Sequence, residues 1–213
     1  MKAVALISGG IDSPVSAYLM LARGVEVVYA HFHSFPIVSK SSIYKAIKLV
    51  ETLARYQSPS ILYLIPLGDV QTYLRTRVDP RYLIILYRRF MLRIAEKLAE
   101  REKAEALATG ESLGQVSSQT LQNLRVIEEA VRMPVLRPLI GLDKEEIKDI
   151  AKSIGTYEIS IKPQEDCCTL FAPRRQITKA RIEDVKRIEE ELPIGKLVDQ
   201  ALNKIEKMEI SVS

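Results

Sequence analysis

An open, largely parallel β-sheet with helices on both faces is the α/β architecture this sequence predicts, and three observations predict it. Apolar runs of strand length alternate with helical patterns from the first residue onward. Several runs are continuously apolar instead of alternating, as strands buried on both faces are. Polar, glycine-bearing stretches follow the runs directly, at the strand ends where such sheets bind their ligands.

In chain order, Ala3–Ile7 reads as the first strand, followed by a helix that takes Pro14 into its first turn, where the missing N–H costs nothing. Val25–Phe32 is the second strand. Ser41–Tyr56 has helical spacing at Ile43, Ala46, Ile47, Val50, Leu53 and Ala54, and Ser60–Leu67 is the third strand. Pro80–Lys103 contains a long helix with apolar positions at Leu83, Leu86, Phe90, Ile94 and Leu98. Ala104–Thr109 is a fourth strand running into Gly110. Residues Gln115–Val131 read as a helix, Pro134–Ile140 as a fifth strand or extended segment, and Asp143–Ser153 as a helix N-capped by Asp143. Beyond Thr178 the pattern changes to two charged amphipathic helices, Ala180–Leu192 and Lys196–Glu209, broken by Pro193 and Gly195. The expected division is a sheet domain over 1–178 and a helical appendage over 179–213.

With 213 residues, 47% of them hydrophobic, the chain can bury a full core. No apolar run reaches the ~20 residues that span a bilayer, and the N-terminus reads as a core strand without a cleavage site, so a cytoplasmic protein is expected. The net charge of +4 is uneven: residues 183–213 hold five Lys/Arg against eight Asp/Glu, which leaves the preceding part more basic than the total suggests. Such a balance suits a polyanionic partner such as RNA.

Chemistry concentrates first in Ser8-Gly9-Gly10-Ile11-Asp12-Ser13, between the first strand and its helix. The two glycines allow backbone conformations closed to other residues, so that successive N–H groups can turn toward an anion. With the Ser8 and Ser13 hydroxyls and the positive end of the helix, they form a phosphate cradle. The bland alternative is a Gly-Gly turn capped by Asp12 or Ser13. No GxxxxGK[ST] occurs, which excludes a Walker-type loop. A carboxylate inside a phosphate cradle would repel the ligand, so Asp12 is expected to bind the Mg²⁺ that neutralises a triphosphate, or to orient the attacking group.

The second strand ends in His31-Phe32-His33, whose backbone suits an adenine edge with Phe32 packed near the base; a metal-binding or a structural His pair are the rivals. Thr109 to Gln115, continued by Ser117, Ser118, Gln119 and Thr120, is a second ligand-facing loop. Arg88, Arg89 and Arg93 give the long helix a basic edge, and Lys144 follows a helix cap; cations there can stabilise charge developing on a triphosphate. Cys167 and Cys168, adjacent within Gln164–Thr169, cannot form a disulfide framework and lack zinc-site spacing. In that polar setting, near Lys162, Arg174, Arg175 and Lys179, they are candidates for nucleophilic or sulfur-carrying chemistry.

The Ser8–Ser13 loop resembles the PP-loop of ATP pyrophosphatases, whose fold is adenine nucleotide alpha hydrolase-like. Together with AHFHSFP, RRFMLRIAE, ATGESLGQVSSQTLQNL, RPLIGLDKEEI and PQEDCCTLFAP, in order over residues 1–180, the chain resembles the catalytic domain of the tRNA 4-thiouridine synthases, or tRNA sulfurtransferases. In that family ATP adenylates the C4 oxygen of the uridine at position eight of tRNA, and a persulfide then displaces AMP. The resemblance implies ATP contacts from Leu6, Ile7, Ser8, Gly9, Gly10, Asp12, Ser13, His31, Phe32, Arg88, Gly110 and Gln119. It implies catalytic roles for Asp12 and Lys144, and sulfur handling by Cys167 with Cys168 as the adjacent alternative. It also implies ATP and Mg²⁺ as cofactors, tRNA as partner, and sulfur from a persulfide donor or sulfide. The THUMP and rhodanese domains of the family are not found in these 213 residues, so a separate RNA-binding chain, a sulfur-donor protein and a homodimer enter as partners. The competing readings are an adenylating enzyme with another acceptor, including sulfur supply for thiamine thiazole, and a non-catalytic nucleotide-binding subunit.

Overall fold

Short-range sequence pattern and sheet position agree along most of the chain. The computed structural model describes residues 1–113, 119–163 and 176–211. Its strands are β1 (Lys2–Leu6), β2 (Glu26–His33), β3 (Ser60–Pro66), β4 (Ala106–Ala108), β5 (Val135–Leu136) and β6 (Glu206–Ile210). The helices are α1 (Asp12–Leu21), α2 (Ser41–Leu53), α3 (Gly68–Arg75), α4 (Leu83–Glu102), α5 (Leu121–Glu128), α6 (Lys144–Ser153), α7 (Tyr157–Ser160), α8 (Ile182–Glu190) and α9 (Ile194–Leu202). The strands form one sheet in the order β5-β4-β1-β2-β3-β6, parallel except for β6.

Because side chains alternate across a strand, neighbours in sequence enter different cores. Ala3, Ala5, Val27, Tyr29, Leu62 and Leu64 face α1, α2 and α6, whereas Val4, Val28, Ala30, Tyr63 and Ile65 face α3, α4, α5, α8 and α9. Both faces are therefore covered, which is why the strands read as unbroken apolar runs. The chain builds β1, β2 and β3 outward, then returns past β1 to add β4 on its other side. Strand order thus reverses between β1 and β4, and the ends of those two strands bound the crevice where this architecture binds ligands.

Three segments differ from expectation. The second C-terminal helix stops at Leu202, and Glu206–Ile210 is an antiparallel edge strand paired with β3, Met208 opposite Leu62 and Ile210 opposite Ser60. Its charged residues fit a solvent-facing edge, where Lys207 bridges to Glu102 at 3.5 Å, while Met208 and Ile210 alternate into the core. The fifth strand, expected as a strand or extended segment over Pro134–Ile140, is two residues long and pairs with β4 at the sheet edge. The helix expected over Gln115–Val131 is described from Leu121, where Thr120 caps α5 by accepting from the Asn123 N–H at 3.2 Å; residues 114–118, with Ser117 and Ser118, lie outside the described residues. Helices α3 and α7 were not among the elements expected from the sequence.

Candidate functional site

The crevice between the ends of β1 and β4 opens into a cavity of about 300 Å³. It is lined by the loop after β1, the end of β2, the inward edge of α4 and the loop after β4. All twelve residues expected to contact ATP line it: Leu6, Ile7, Ser8, Gly9, Gly10, Asp12, Ser13, His31, Phe32, Arg88, Gly110 and Gln119. They come from four separate stretches of chain and meet only through the strand order.

The loop after β1 is closed by its own serines. The Ser13 hydroxyl accepts from the Ser8 N–H at 2.8 Å and lies 3.1 Å from the Ser8 hydroxyl, so the start of α1 is clipped to the end of the strand. The Gly10 N–H donates to Ser8 Oγ at 3.3 Å. Asp12 opens the helix and is not its cap, since the N-cap position is Ile11 and no side chain caps it. The glycines differ from expectation: the left-handed glycines among the described residues are Gly24 and Gly155, so neither Gly9 nor Gly10 uses a backbone region closed to other residues. Both line the cavity without a side chain, and a Cβ at Gly10 would meet Ser8 Oγ at 3.5 Å.

Glycine is demanded instead at Gly110. A Cβ there would lie 2.8 Å from the Cα and N of Ser13 and 3.0 Å from the carbonyl carbon of Asp12, all backbone atoms that cannot swing aside. The Ser16 hydroxyl donates to the Thr109 carbonyl at 2.9 Å and holds the two loops in this contact. Gly110→Ala is expected to push them apart, costing about 1–3 kcal/mol of stability as overpacking does. A more than tenfold weaker ATP affinity by calorimetry should accompany it; unchanged affinity would show that the crevice tolerates separation.

At the end of β2, His31 Nδ1 lies 2.9 Å from the Ile7 carbonyl, joining the ends of β1 and β2. Phe32 is buried against the opposite core. His33 Nδ1 accepts from the Phe35 N–H at 3.3 Å, and its burial lowers its pKa, so the pair is built into the strand end. Among the described residues no cluster of three or more His, Cys, Asp or Glu could hold a metal.

Charge in the crevice is arranged around one acid that the sequence did not single out. Glu111 is buried, and its carboxylate accepts from Arg88 at 2.5 Å, Arg137 at 2.8 Å and the Thr109 hydroxyl at 3.0 Å. Burial pushes its pKa up, but the two guanidiniums outweigh this and hold it below the usual range. Arg88 thus stands at the crevice wall with a fixed carboxylate behind it. The other two arginines of the basic edge turn elsewhere, because Arg89 and Arg93 both pair with Glu189 of α8.

Asp12 has a raised pKa, mainly from burial and partly offset by the Lys144 ammonium. Lys144 is the first residue of α6, placed by a capping box in which Asp143 accepts from the Glu145 and Glu146 N–H groups and Glu146 accepts from the Asp143 N–H. It is exposed and lies near Asp12 without lining the cavity. Cys167, Cys168, Arg174 and Arg175 lie outside the described residues. The stretch that leads to them is anchored: the buried Lys45 ammonium donates to the Ser160 and Lys162 carbonyls at 2.7 and 2.6 Å, and the Ser160 hydroxyl donates to the Gly10 carbonyl at 3.3 Å.

The family model for the thiamine biosynthesis protein ThiI matches residues 1–194. The chain belongs to the ThiI family. Among ThiI-related proteins, a probable tRNA sulfurtransferase of Thermus thermophilus is 53% identical over 205 residues, covering 96% of this chain and 50% of that protein. One of Finegoldia magna is 49% identical, covering 98% and 54%. The chain spans about half the length of these relatives. A crystal structure of a 4-thiouridine synthetase in complex with RNA and with bound ATP superposes with a TM-score of 0.94 at 42% identity, covering 99% of this chain and 55% of that one.

Proposed function

We propose that this ThiI-family chain is the ATP-using portion of a tRNA sulfurtransferase, adenylating the uridine at position eight of tRNA and replacing its C4 oxygen with sulfur. The observation that carries the reading is the close superposition on a 4-thiouridine synthetase whose crystal holds ATP and RNA, together with a crevice lined by every residue expected to touch ATP. In this reading the loop N–H groups after β1 cradle the phosphates and the end of β2 receives the adenine. Arg88, backed by Glu111, stabilises charge that grows on the phosphates as the uridine oxygen attacks the α-phosphorus and pyrophosphate leaves.

Mg²⁺ fits at Asp12, which would hold it beside the phosphates, because among the described residues the half-buried carboxylate has Lys144 as its nearby cation and no hydrogen-bonded basic partner. When bound, the metal would neutralise the triphosphate. Lys144 orients Asp12 electrostatically. Cys167, with Cys168 beside it, carries the sulfur: a persulfide terminal sulfur attacks C4, AMP departs with the oxygen, and a second thiol takes up the cysteine sulfur as the S–S bond breaks. The partners of this reading are tRNA, a sulfur-donor protein or sulfide, and an RNA-gripping domain on this or another chain.

The test is incubation with ATP, Mg²⁺, a persulfide donor and unmodified tRNA, reading pyrophosphate and thiolated nucleoside. Pyrophosphate release that requires tRNA, with 4-thiouridine formed, is the expected result. The family's description as a thiamine biosynthesis protein favours one second reading, sulfur supply for thiazole synthesis. Pyrophosphate release indifferent to tRNA would select it. Cys167→Ala is expected to leave ATP binding and adenylation intact while removing thiolation from the persulfide donor, with a smaller loss for Cys168→Ala. Full thiolation by the double variant would end the sulfur-carrying role.

A further inference from the structure

The cavity has a wall that the expected ATP contacts do not use, the first turn of α2. Ser42, the second residue of that helix, lines the cavity and is 3% exposed, and its hydroxyl has no hydrogen-bond partner among the described residues. A buried hydroxyl without a partner loses its hydration for nothing in return, at a cost comparable to a lost hydrogen bond. Such a group beside a ligand cavity is explained when the ligand completes it.

The helix points to the kind of ligand. Helix α2 is 13 residues long, and Lys40 at its N-cap position supplies no side-chain cap; Ser39 Oγ accepts from the Ser41 N–H at 3.5 Å, and the positive end of the helix lies beside the Ser42 hydroxyl. Ser42 and Lys45 lie three residues apart and share one helix face. On that face Lys45 holds the Ser160 carbonyl, and the Ser160 hydroxyl in turn holds the Gly10 carbonyl. The face that carries Ser42 is thereby moored to the glycine loop, the phosphate end of the crevice, and not to Gly110 and Gln119 on the far side of β1.

We propose that the first turn of α2, through the Ser42 hydroxyl, is a second phosphate-binding wall facing the loop after β1, and that it holds the pyrophosphate portion of the nucleotide. The proposal deepens the ATP reading and rests on it for the identity of the ligand. Two helix N-termini, α1 and α2, then converge on one anion from opposite sides. The loop after β1 and the Ser42 hydroxyl then hold that anion between them. The favourable charge at both ends requires no additional lysine in the cavity.

The test compares the full chain with Ser42→Ala, which keeps a good helix former in the first turn and should leave Tm unchanged. Calorimetry with ATP, inorganic pyrophosphate and adenosine supplies the readout. The expected result is about tenfold weaker binding of ATP and of pyrophosphate, as for loss of a hydrogen bond to a charged group, with adenosine unaffected. Ser42→Asp should weaken both anions further. Equal ATP and pyrophosphate affinities for wild type and Ser42→Ala, or an equal loss for adenosine, would overturn the proposal. Wild-type protein that binds pyrophosphate in a Ser42-dependent way but not ATP would retain the phosphate wall and overturn the nucleotide reading instead; binding of neither would overturn both.

Discussion

Asp12→Asn is expected to lower the rate of pyrophosphate release by about 10²–10³-fold, the scale of removing one preorganised charge-stabilising group, and at the same time to raise the Tm of the ligand-free protein. The two effects share a cause. Burial raises the Asp12 pKa above its unfolded value, only partly offset by Lys144, so the folded state holds its proton more tightly than the unfolded chain does. Stability contributed by this group therefore falls as pH rises through the unfolded and then the folded pKa, and above both the buried charge is a standing penalty. An isosteric amide removes that penalty and removes the anionic ligand for Mg²⁺ with it. Thermal melts from pH 3 to 8 should show the variant gaining on the wild type as pH rises, the gain levelling off once pH passes the raised folded-state pKa. A variant that matches wild-type turnover would reduce Asp12 to the first residue of α1; one that melts lower at neutral pH would mean the carboxylate stabilises the apo loop.

What the chain reveals by local pattern is what local physics controls. The parallel strands are legible because burial on both faces makes them continuously apolar, and the loop after β1 is legible because six specified residues occur between a strand and a helix. The Asp143 cap is equally local and was legible in the same way, although its capping-box partner Glu146 was not singled out. Strand β6 was not, because an edge strand with alternating charge and methionine matches a short amphipathic helix until its partner β3 is known. Glu111 was seen only as one polar residue in a loop, since its partners Arg88 and Arg137 stand 23 and 26 residues away and meet it only through the fold. Gly110 was seen as part of a ligand loop, yet what requires glycine is the backbone of Ser13 on a different strand-to-helix turn. Ser42 gave no signal at all, because a serine in the first turn of a helix is ordinary and only the cavity makes it unusual.

Glu189→Ala is expected to cost about 3–5 kcal/mol, the penalty for stranding a buried charge, and so to lower Tm by roughly 6–20 °C in a domain of this size. The argument turns on two adjacent residues of α4. Successive helix residues point about 100° apart, so Arg88 reaches the crevice and Glu111 while Arg89 turns into the opposite core, where its side chain is only 2% exposed. There Glu189 binds it through two bonds at 2.8 and 2.7 Å, with Glu129 at 3.0 Å and the Val126 carbonyl completing the set. Arg93 grips the same Glu189 at 2.6 and 2.8 Å, so one carboxylate of α8 fixes two guanidiniums of α4. Burial pushes the Glu189 pKa up and the two arginines bring it below the usual range, so its share of stability is present above the unfolded carboxylate pKa and is lost as pH falls through the lowered one. Alanine at 189 leaves Arg89 desolvated with half its partners. Replacing Arg89 and Glu189 together by methionine removes both charges from the core and should recover most of the loss, because a well-packed apolar pair there is often as stable as the ion pair. A loss under about 1 kcal/mol for Glu189→Ala, measured by chemical denaturation, would mean that Glu129 and the Val126 carbonyl suffice for Arg89. A double variant no more stable than the single would mean that the space cannot be filled without the ions. If both expectations hold, α8 is the lock that sets the rotation of α4, and the rotation of α4 is what aims Arg88 at the crevice.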